Sequence, residues 1–399
     1  MRTPAYRRLW IGGSFAFLSL QMQLVARAWL AFDLVGTSTA LGGVFIGFGV
    51  SSLLATPFGG AAADRVRKRT IIAITQSVQA LTAAAIGVAE VTGVLDYWML
   101  IVGGVIQGVV LAYLGPARLA FTAELVEPEK LPNAVFLGQI SLNSTRMVGP
   151  AVAGVLIGVN AVGAGGVYLI ASAFMVFGVL AAFGLPAGDP RPNRVQRTAL
   201  GDVADGIAYV RRRPAVGALV VVSFVVVMVT FPYIVFLPVI AEDLFDVGAT
   251  GYGVLTAASA VGALAASFSL ANVARSLLWS RQAVAGIALA VSLVGLALAP
   301  TYPVALAVIV VVGAATAAFQ ALNSSLVLTI ADLEYHGRMQ SLLMLSFSGF
   351  GLIALPMGIL ADAVGIRETI AGMGIVAFVA MAAYTAVIPK LRRPALNAP

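Results

Sequence analysis

Residues 40–92 read ALGGVFIGFGVSSLLATPFGGAAADRVRKRTIIAITQSVQALTAAAIGVAEVT. Two apolar runs, 40–63 and 70–92, flank the turn Asp64-Arg65-Val66-Arg67-Lys68-Arg69, which carries five charges in six residues. A bilayer hydrocarbon core takes about 20 apolar residues per helix, so each run is long enough to cross it. Neither run alternates as the strands of an outer-membrane barrel would. The charged turn between them stays in water. The stretch therefore reads as two membrane-spanning helices joined by a tight basic connection.

The rest of the chain extends this pattern. Of 399 residues, 60% are hydrophobic and only 10% charged, where a soluble domain carries about 25% charge. Mean hydropathy is +0.99. This composition excludes a soluble enzyme, a nucleic-acid-binding domain and a disordered chain. There is no cysteine and a single histidine, so disulfides and thiolate metal sites are ruled out and a histidine metal cluster nearly so. No metal or cofactor is expected, and no Walker A sequence is present to hold a nucleotide. Reading for runs bounded by charge, Gly or Pro gives twelve spans: 10–33, 40–63, 70–92, 97–118, 133–158, 165–186, 215–241, 250–273, 282–300, 303–326, 340–362 and 369–389. The first carries Gln21, Gln23 and Arg27 and has no cleavage site, which separates it from a signal peptide.

Basic residues set the orientation. With twelve spans, 21 of the 24 Lys and Arg fall on one face, together with both termini. That face is assigned to the cytoplasm. The other face has Arg367 and the acids Asp96, Glu242, Asp243, Asp246 and Glu368. The chain divides into an N-terminal six-helix bundle, 1–186, a cytoplasmic linker, 187–214, and a C-terminal six-helix bundle, 215–399. In the linker, Leu200, Val203, Ile207 and Val210 share one face of an amphipathic helix, which is expected to lie in the lipid headgroup layer.

Two six-helix halves joined by a basic loop resemble the major facilitator superfamily. The turn quoted above resembles its signature G-x-x-x-D-R-x-G-R-[RK]: Gly60, Asp64, Arg65, Lys68 and Arg69 fit, and Arg67 stands where the second glycine is usual. The stretches Gly115-Pro116-Ala117-Arg118, Leu131-Pro132-Asn133-Ala134, Arg146-Met147-Val148-Gly149-Pro150 and Arg211-Arg212-Arg213-Pro214 resemble the drug and siderophore exporter branch, which includes the enterobactin exporter and macrolide efflux proteins. The resemblance implies an all-α integral membrane protein with twelve transmembrane helices in two pseudo-symmetric six-helix bundles. It also implies that the signature turn is a cytoplasmic gate, its arginines meeting acidic partners across the two halves. The chain departs from the branch on the fourth span. Drug/proton antiporters often carry L-x-x-x-R-x-x-Q-G there; Leu100, Gln107 and Gly108 match, but Gly104 stands in place of the arginine.

Charges inside the bilayer need a reason, since each costs about 2.5–3.5 kcal/mol on insertion scales. Arg146 lies about thirteen residues into the fifth span, roughly 20 Å deep. Gln139, Asn143 and Arg146 share a helix face by their i, i+4, i+7 spacing. Gln23 and Arg27 share a face of the first span, where Asp33 or Glu90 could neutralise the arginine. The resemblance places the first, fourth, seventh and tenth helices around the substrate cavity. Gln107, Tyr233, Gln320 and Asn323 lie on those helices, and Thr316 and Thr230 join their stripes. Asp33 and Glu90 are the candidate proton-coupling acids. Gln76 and Gln79, on the third span, read as packing or interfacial groups, and His336 as a solvated loop residue.

The function these readings imply is a secondary active exporter of small amphipathic molecules in the bacterial inner membrane. It would work as a monomer among membrane lipids, by alternating access, with protons as coupling ion and no nucleic-acid partner. The competing readings are a lysophospholipid flippase or organic anion importer of the same fold, and a membrane receptor that moves nothing.

Overall fold

The computed structural model describes residues 4–159, 161–188, 199–270, 277–332 and 335–396, apart from some side chains within its helices. No strand occurs among them. The helices are α1 (Pro4–Val35), α2 (Ser38–Arg65), α3 (Lys68–Val91), α4 (Tyr97–Leu125), α5 (Leu131–Ile157), α6 (Gly163–Phe183), α7 (Ala199–Arg212), α8 (Pro214–Thr230), α9 (Leu237–Val239), α10 (Gly248–Leu270), α11 (Leu278–Ala297), α12 (Tyr302–Ile330), α13 (His336–Val364) and α14 (Ile366–Leu396). Eleven described stretches are long and apolar enough to cross a membrane, and a shorter apolar helix, Gly349–Val364, adds to them. A 20-residue helix already spans about 30 Å. Gly36 between α1 and α2, and Gly365 between α13 and α14, take φ of 70° and 106°, where a side chain would be strained.

Two spans differ from the sequence reading. The seventh was read as one run, 215–241. The α-helix instead stops at Thr230 and continues as a 3-10 turn, Phe231–Ile234, the short α9, and a π turn, Ile240–Leu244. Pro232 and Pro238 are the physical cause: each lacks an N–H and its ring crowds the preceding turn. The eleventh was read as 340–362. Its helix begins earlier, at His336, and only the part from Gly349 onward is strongly apolar.

Contacts gather the chain into two units. Unit 1 holds residues 1–36, 43–199 and 249–253; unit 2 holds 37–42, 200–248 and 254–399. In unit 1, α6 packs on α3 and α1, α5 lies on α1, and α4 lies on α3. At its basic end, Leu9, Ile71, Ile72, Leu114, Phe121 and Leu185 form a buried cluster. The residues taken from α10 belong to its other end. There the Tyr252 hydroxyl donates to the Val25 carbonyl at 2.9 Å, and its ring stacks on Trp29. In unit 2, α11 packs between α12 and α14. This unit takes the opening turn of α2, where both carboxylate oxygens of Asp362 accept backbone N–H groups, from Ser38 and Thr39, at 2.8 Å each. A carboxylate from α13 thus caps the N-terminus of α2.

Candidate transport sites within each unit

Unit 1 buries a file of polar side chains between α1, α3 and α6. Ser19 donates to the Ala171 carbonyl at 2.7 Å. Gln23 Nε2 donates to Ser19 Oγ at 3.0 Å, and Gln79 Nε2 to Gln23 Oε1 at 2.6 Å. One turn beyond Gln23, Arg27 is 1% exposed, and its Nε donates to the Tyr168 hydroxyl at 3.4 Å. Among the described residues, Arg27 Nη2 and Gln79 Oε1 have no hydrogen-bond partner. Gln107, from α4, donates to the Leu20 carbonyl at 3.3 Å. Gln79 is therefore fully buried in the file, not interfacial.

Gly104 has a physical reason in this arrangement. A Cβ there would stand 2.9 Å from the Val44 carbonyl and 3.5 Å from Arg27 Nη1. The glycine leaves room for a guanidinium that reaches the spot from α1. The sequence pattern expected an arginine at 104; the structure puts one beside it from another helix.

The expected neutralisation of Arg27 does not occur. Asp33 is exposed, and the Glu90 carboxylate instead receives the Gly165 backbone N–H. Both acids sit at the far ends of their helices, and the guanidinium turns inward to Tyr168. Arg146 is half-buried on α5. The side chains of Gln139 and Asn143 lie outside the described residues, as does that of Asp64.

Unit 2 has a second polar group. The hydroxyls of Tyr233 and Ser259 are 3.2 Å apart, and Thr316 stands beside them. Tyr233 is buried. On neighbouring helices, Gln282 Nε2 donates to Asn323 Oδ1 at 3.3 Å; both residues are buried. Gln320 is half-buried. Tyr233 and Asn323 were expected at such positions. Ser259, Gln282 and, in unit 1, Tyr168 were not, because the sequence does not say which neighbour each of them faces.

Two residues of the signature turn have described partners. Lys68 Nζ lies 3.0 Å from Glu124 Oε1, with side-chain exposures of 2% and 13%. Arg69 donates to the Leu185 carbonyl at 3.1 Å. These bonds stay inside unit 1, because the first turn of α3 points its side chains at the end of α4 and at the chain leaving α6. Arg65 is exposed, and a Cβ on Gly60 would meet nothing within 4 Å.

The linker helix α7 is bonded through its polar face. Its described contacts run through Asp205, Tyr209 and Arg213, spaced four apart. Asp205 pairs with Arg338 at 3.4 Å and Arg213 with Asp332 at 3.2 Å. The Tyr209 hydroxyl donates to Asp332 Oδ2 at 3.1 Å and accepts the Asp332 N–H at 2.9 Å. Its ring stacks on Tyr335. Burial holds the phenol above its ordinary pKa, so it remains a donor at neutral pH. Ile207, on the expected apolar face, is exposed, and Leu200 and Val203 lie outside the described side chains. The segment after α12 offers the polar face both charge and an aromatic ring. Tyr209→Phe is expected to cost about 1–2 kcal/mol. Hydrogen exchange over 199–212 should quicken accordingly. His336 is the first residue of α13, its ring bonded to the Ala331 carbonyl at 3.1 Å, and so is not a free loop side chain.

Helices of spanning length that are apolar outside and carry buried polar groups inside each unit define a multi-pass membrane protein. The chain belongs to the transmembrane secretion effector family of the major facilitator superfamily, whose model matches residues 1–398. It is 25% identical over 389 residues to the multidrug efflux pump Tap of Mycolicibacterium fortuitum, covering 92% of each chain. It is 24% identical over 189 residues to the uncharacterised MFS-type transporter YfiS of Bacillus subtilis (strain 168), covering 46% of this chain and 43% of that one. In fold it is similar to a bacterial homologue of the human lysosomal transporter Spinster, in an inward-facing, unoccupied conformation. The TM-score is 0.74 at 15% identity, over 98% of this chain and 99% of that one. The nucleoside transporter NupG has a TM-score of 0.71 at 16% identity, over 96% and 99%. The family and these neighbours are transporters, not enzymes.

Proposed function

We propose that this protein exports small amphipathic molecules, of drug, macrolide or siderophore type, from the bacterial cytoplasm or inner leaflet. The two bundles, 1–186 and 215–399, joined by 187–214, rock about a midplane site in alternating access. Both termini are cytoplasmic, the protein acts as a monomer in the inner membrane, and protons drive it. The substrate contacts are Gln23, Arg27, Gln107, Gln139, Asn143, Arg146, Tyr233, Gln320 and Asn323. The turn with Gly60, Asp64, Arg65, Lys68 and Arg69 is the cytoplasmic gate.

The observation that carries this reading is Arg27. A guanidinium keeps its charge at any physiological pH. In the bilayer it needs a partner, yet Nη2 has none among the described residues. A transported molecule with a carboxylate, phenolate or carbonyl supplies one, which favours anionic or neutral substrates over purely cationic drugs. Similarity to a protein named a multidrug efflux pump supports the export direction.

The test is flux in proteoliposomes, using dyes, a macrolide and a catecholate, with and without an imposed pH gradient. Arg27→Gln is expected to lower flux of the transported compound roughly tenfold or more, as loss of one charged hydrogen bond predicts. Equal flux from parent and empty liposomes for every compound would sink the exporter reading for that panel. Uptake toward the cytoplasmic face would instead favour an organic anion importer.

A further inference from the structure

Glu90 and Arg27 touch the same short piece of α6. The helix opens at Gly163, and its own N-cap residue, Val162, makes no side-chain capping bond. Glu90 reaches across from the last turn of α3 and fills that role: the Gly165 N–H donates to its carboxylate. The approach depends on glycine, because a Cβ at 165 would overlap Glu90 Oε2. Three residues on, and so on the same side of the helix, Tyr168 holds Arg27 Nε at 3.4 Å. One turn of α6 thus connects a half-buried carboxylate to a buried guanidinium that still has a free Nη2.

Starting from the proton-coupled reading above, we infer that Glu90 is the proton-binding carboxyl and that the opening turn of α6 carries its state to Arg27. The charged groups around it are few. Asp33 on α1 is near enough to repel the ionised carboxylate. Arg27 acts only through Tyr168, which is itself a neutral phenol. When Glu90 is ionised, the positive end of α6 and the Gly165 N–H hold it, and the turn is fixed. When a proton arrives from the outer face, the carboxylate becomes a carboxylic acid. The charge that held the helix end is gone, and repulsion from Asp33 goes with it. The opening turn loosens, Tyr168 moves, and Arg27 gains a second free N–H. Proton loss to the cytoplasm restores the cap. Only the proton is gained and lost in this cycle. Asp33, being exposed and uncapped, is the electrostatic neighbour and not the switch.

Hydrogen exchange of the full chain in nanodiscs, followed against pH, tests this without any substrate. After correction for intrinsic rates, protection of 163–168 is expected to fall with decreasing pH in the parent. That dependence should vanish in Glu90→Gln and persist in Asp33→Asn and in Glu90→Asp. A linked pH dependence at 25–29 should vanish in Tyr168→Phe while that of 163–168 remains. Protection of 163–168 that does not titrate in the parent overturns the inference. So does titration that survives Glu90→Gln, or that is lost in Asp33→Asn. A titrating turn in a protein whose proteoliposome flux ignores the pH gradient would leave the switch standing and defeat proton coupling. Gradient-driven flux without a titrating turn would do the reverse.

Discussion

Lys68→Ala is expected to destabilise the protein by about 3–5 kcal/mol, the usual cost of removing one partner of a buried ion pair. The ammonium is 2% exposed, and it meets Glu124 at 3.0 Å beside the apolar cluster that includes Ile71, Ile72 and Phe121. Alanine takes this ammonium away from a carboxylate that stays largely buried. Replacing both partners removes that problem, because an apolar pair of similar volume is often neutral or stabilising. The double variant Lys68→Met with Glu124→Leu should therefore recover most of the loss. Thermal unfolding of the detergent-solubilised protein reads both. If Lys68 served only to orient the chain by its charge, the single variant would melt like the parent. A double variant no more stable than Lys68→Ala would show that the loss does not come from the stranded Glu124 carboxylate.

The same turn shows what could be read in the sequence and what could not. The order and approximate extent of the spans follow from apolar runs and from where charge interrupts them, and nearly all of them survive in the structure. The exceptions have local causes, prolines in the seventh span and a polar first half in the eleventh. Partners across helices are a different matter. A helix that is apolar on every side carries little information about its rotation, so the sequence does not say which neighbour a polar residue faces. The arginines of the signature turn were expected to meet acidic partners of the other half; the bonds described there are those of Lys68 to Glu124 and of Arg69 to the Leu185 carbonyl, both in unit 1. Arg27 was expected to meet Asp33 or Glu90, which are close to it along the helices, and it meets Tyr168, 141 residues away. The absence of arginine at 104 was visible. That Gly104 faces the Arg27 guanidinium was not, since this depends on how α1 and α4 are turned. The linker helix shows a different limit. It is amphipathic, but its polar face has a protein partner, and the pattern alone cannot distinguish lipid from protein as what the other face meets.

Glycines make the same point with a large expected effect. Gly262 on α10 and Gly313 on α12 lie in reciprocal contact within unit 2. A Cβ on Gly262 would run into the Val310 carbonyl, and one on Gly313 into the Ser259 carbonyl. Water cannot drive two apolar helices together inside a bilayer, so close backbone approach, with the dispersion it permits, is what holds such a crossing. Gly313→Leu must push α12 away from α10, and the obstacle is backbone, which cannot rotate aside as a side chain can. The expected loss is about 3 kcal/mol or more, at the upper end of what overpacking costs. Gly262→Leu should lose a similar amount, and the two together less than the sum, because either alone already separates the helices. Parting these helices also moves Thr316 on α12 away from Ser259 on α10, so the Tyr233 hydroxyl cannot keep both of its partners in the polar group of unit 2. Gly60→Ala is the contrast. It lies in the signature turn, the most recognisable motif of the chain, yet its Cβ would meet nothing within 4 Å. Its melting temperature is expected to match that of the parent. A Gly313→Leu protein that melts with the parent would mean that α10 and α12 do not meet at these glycines. A loss at Gly60→Ala equal to that at Gly313→Leu would mean that the signature glycine is held by packing in the folded protein.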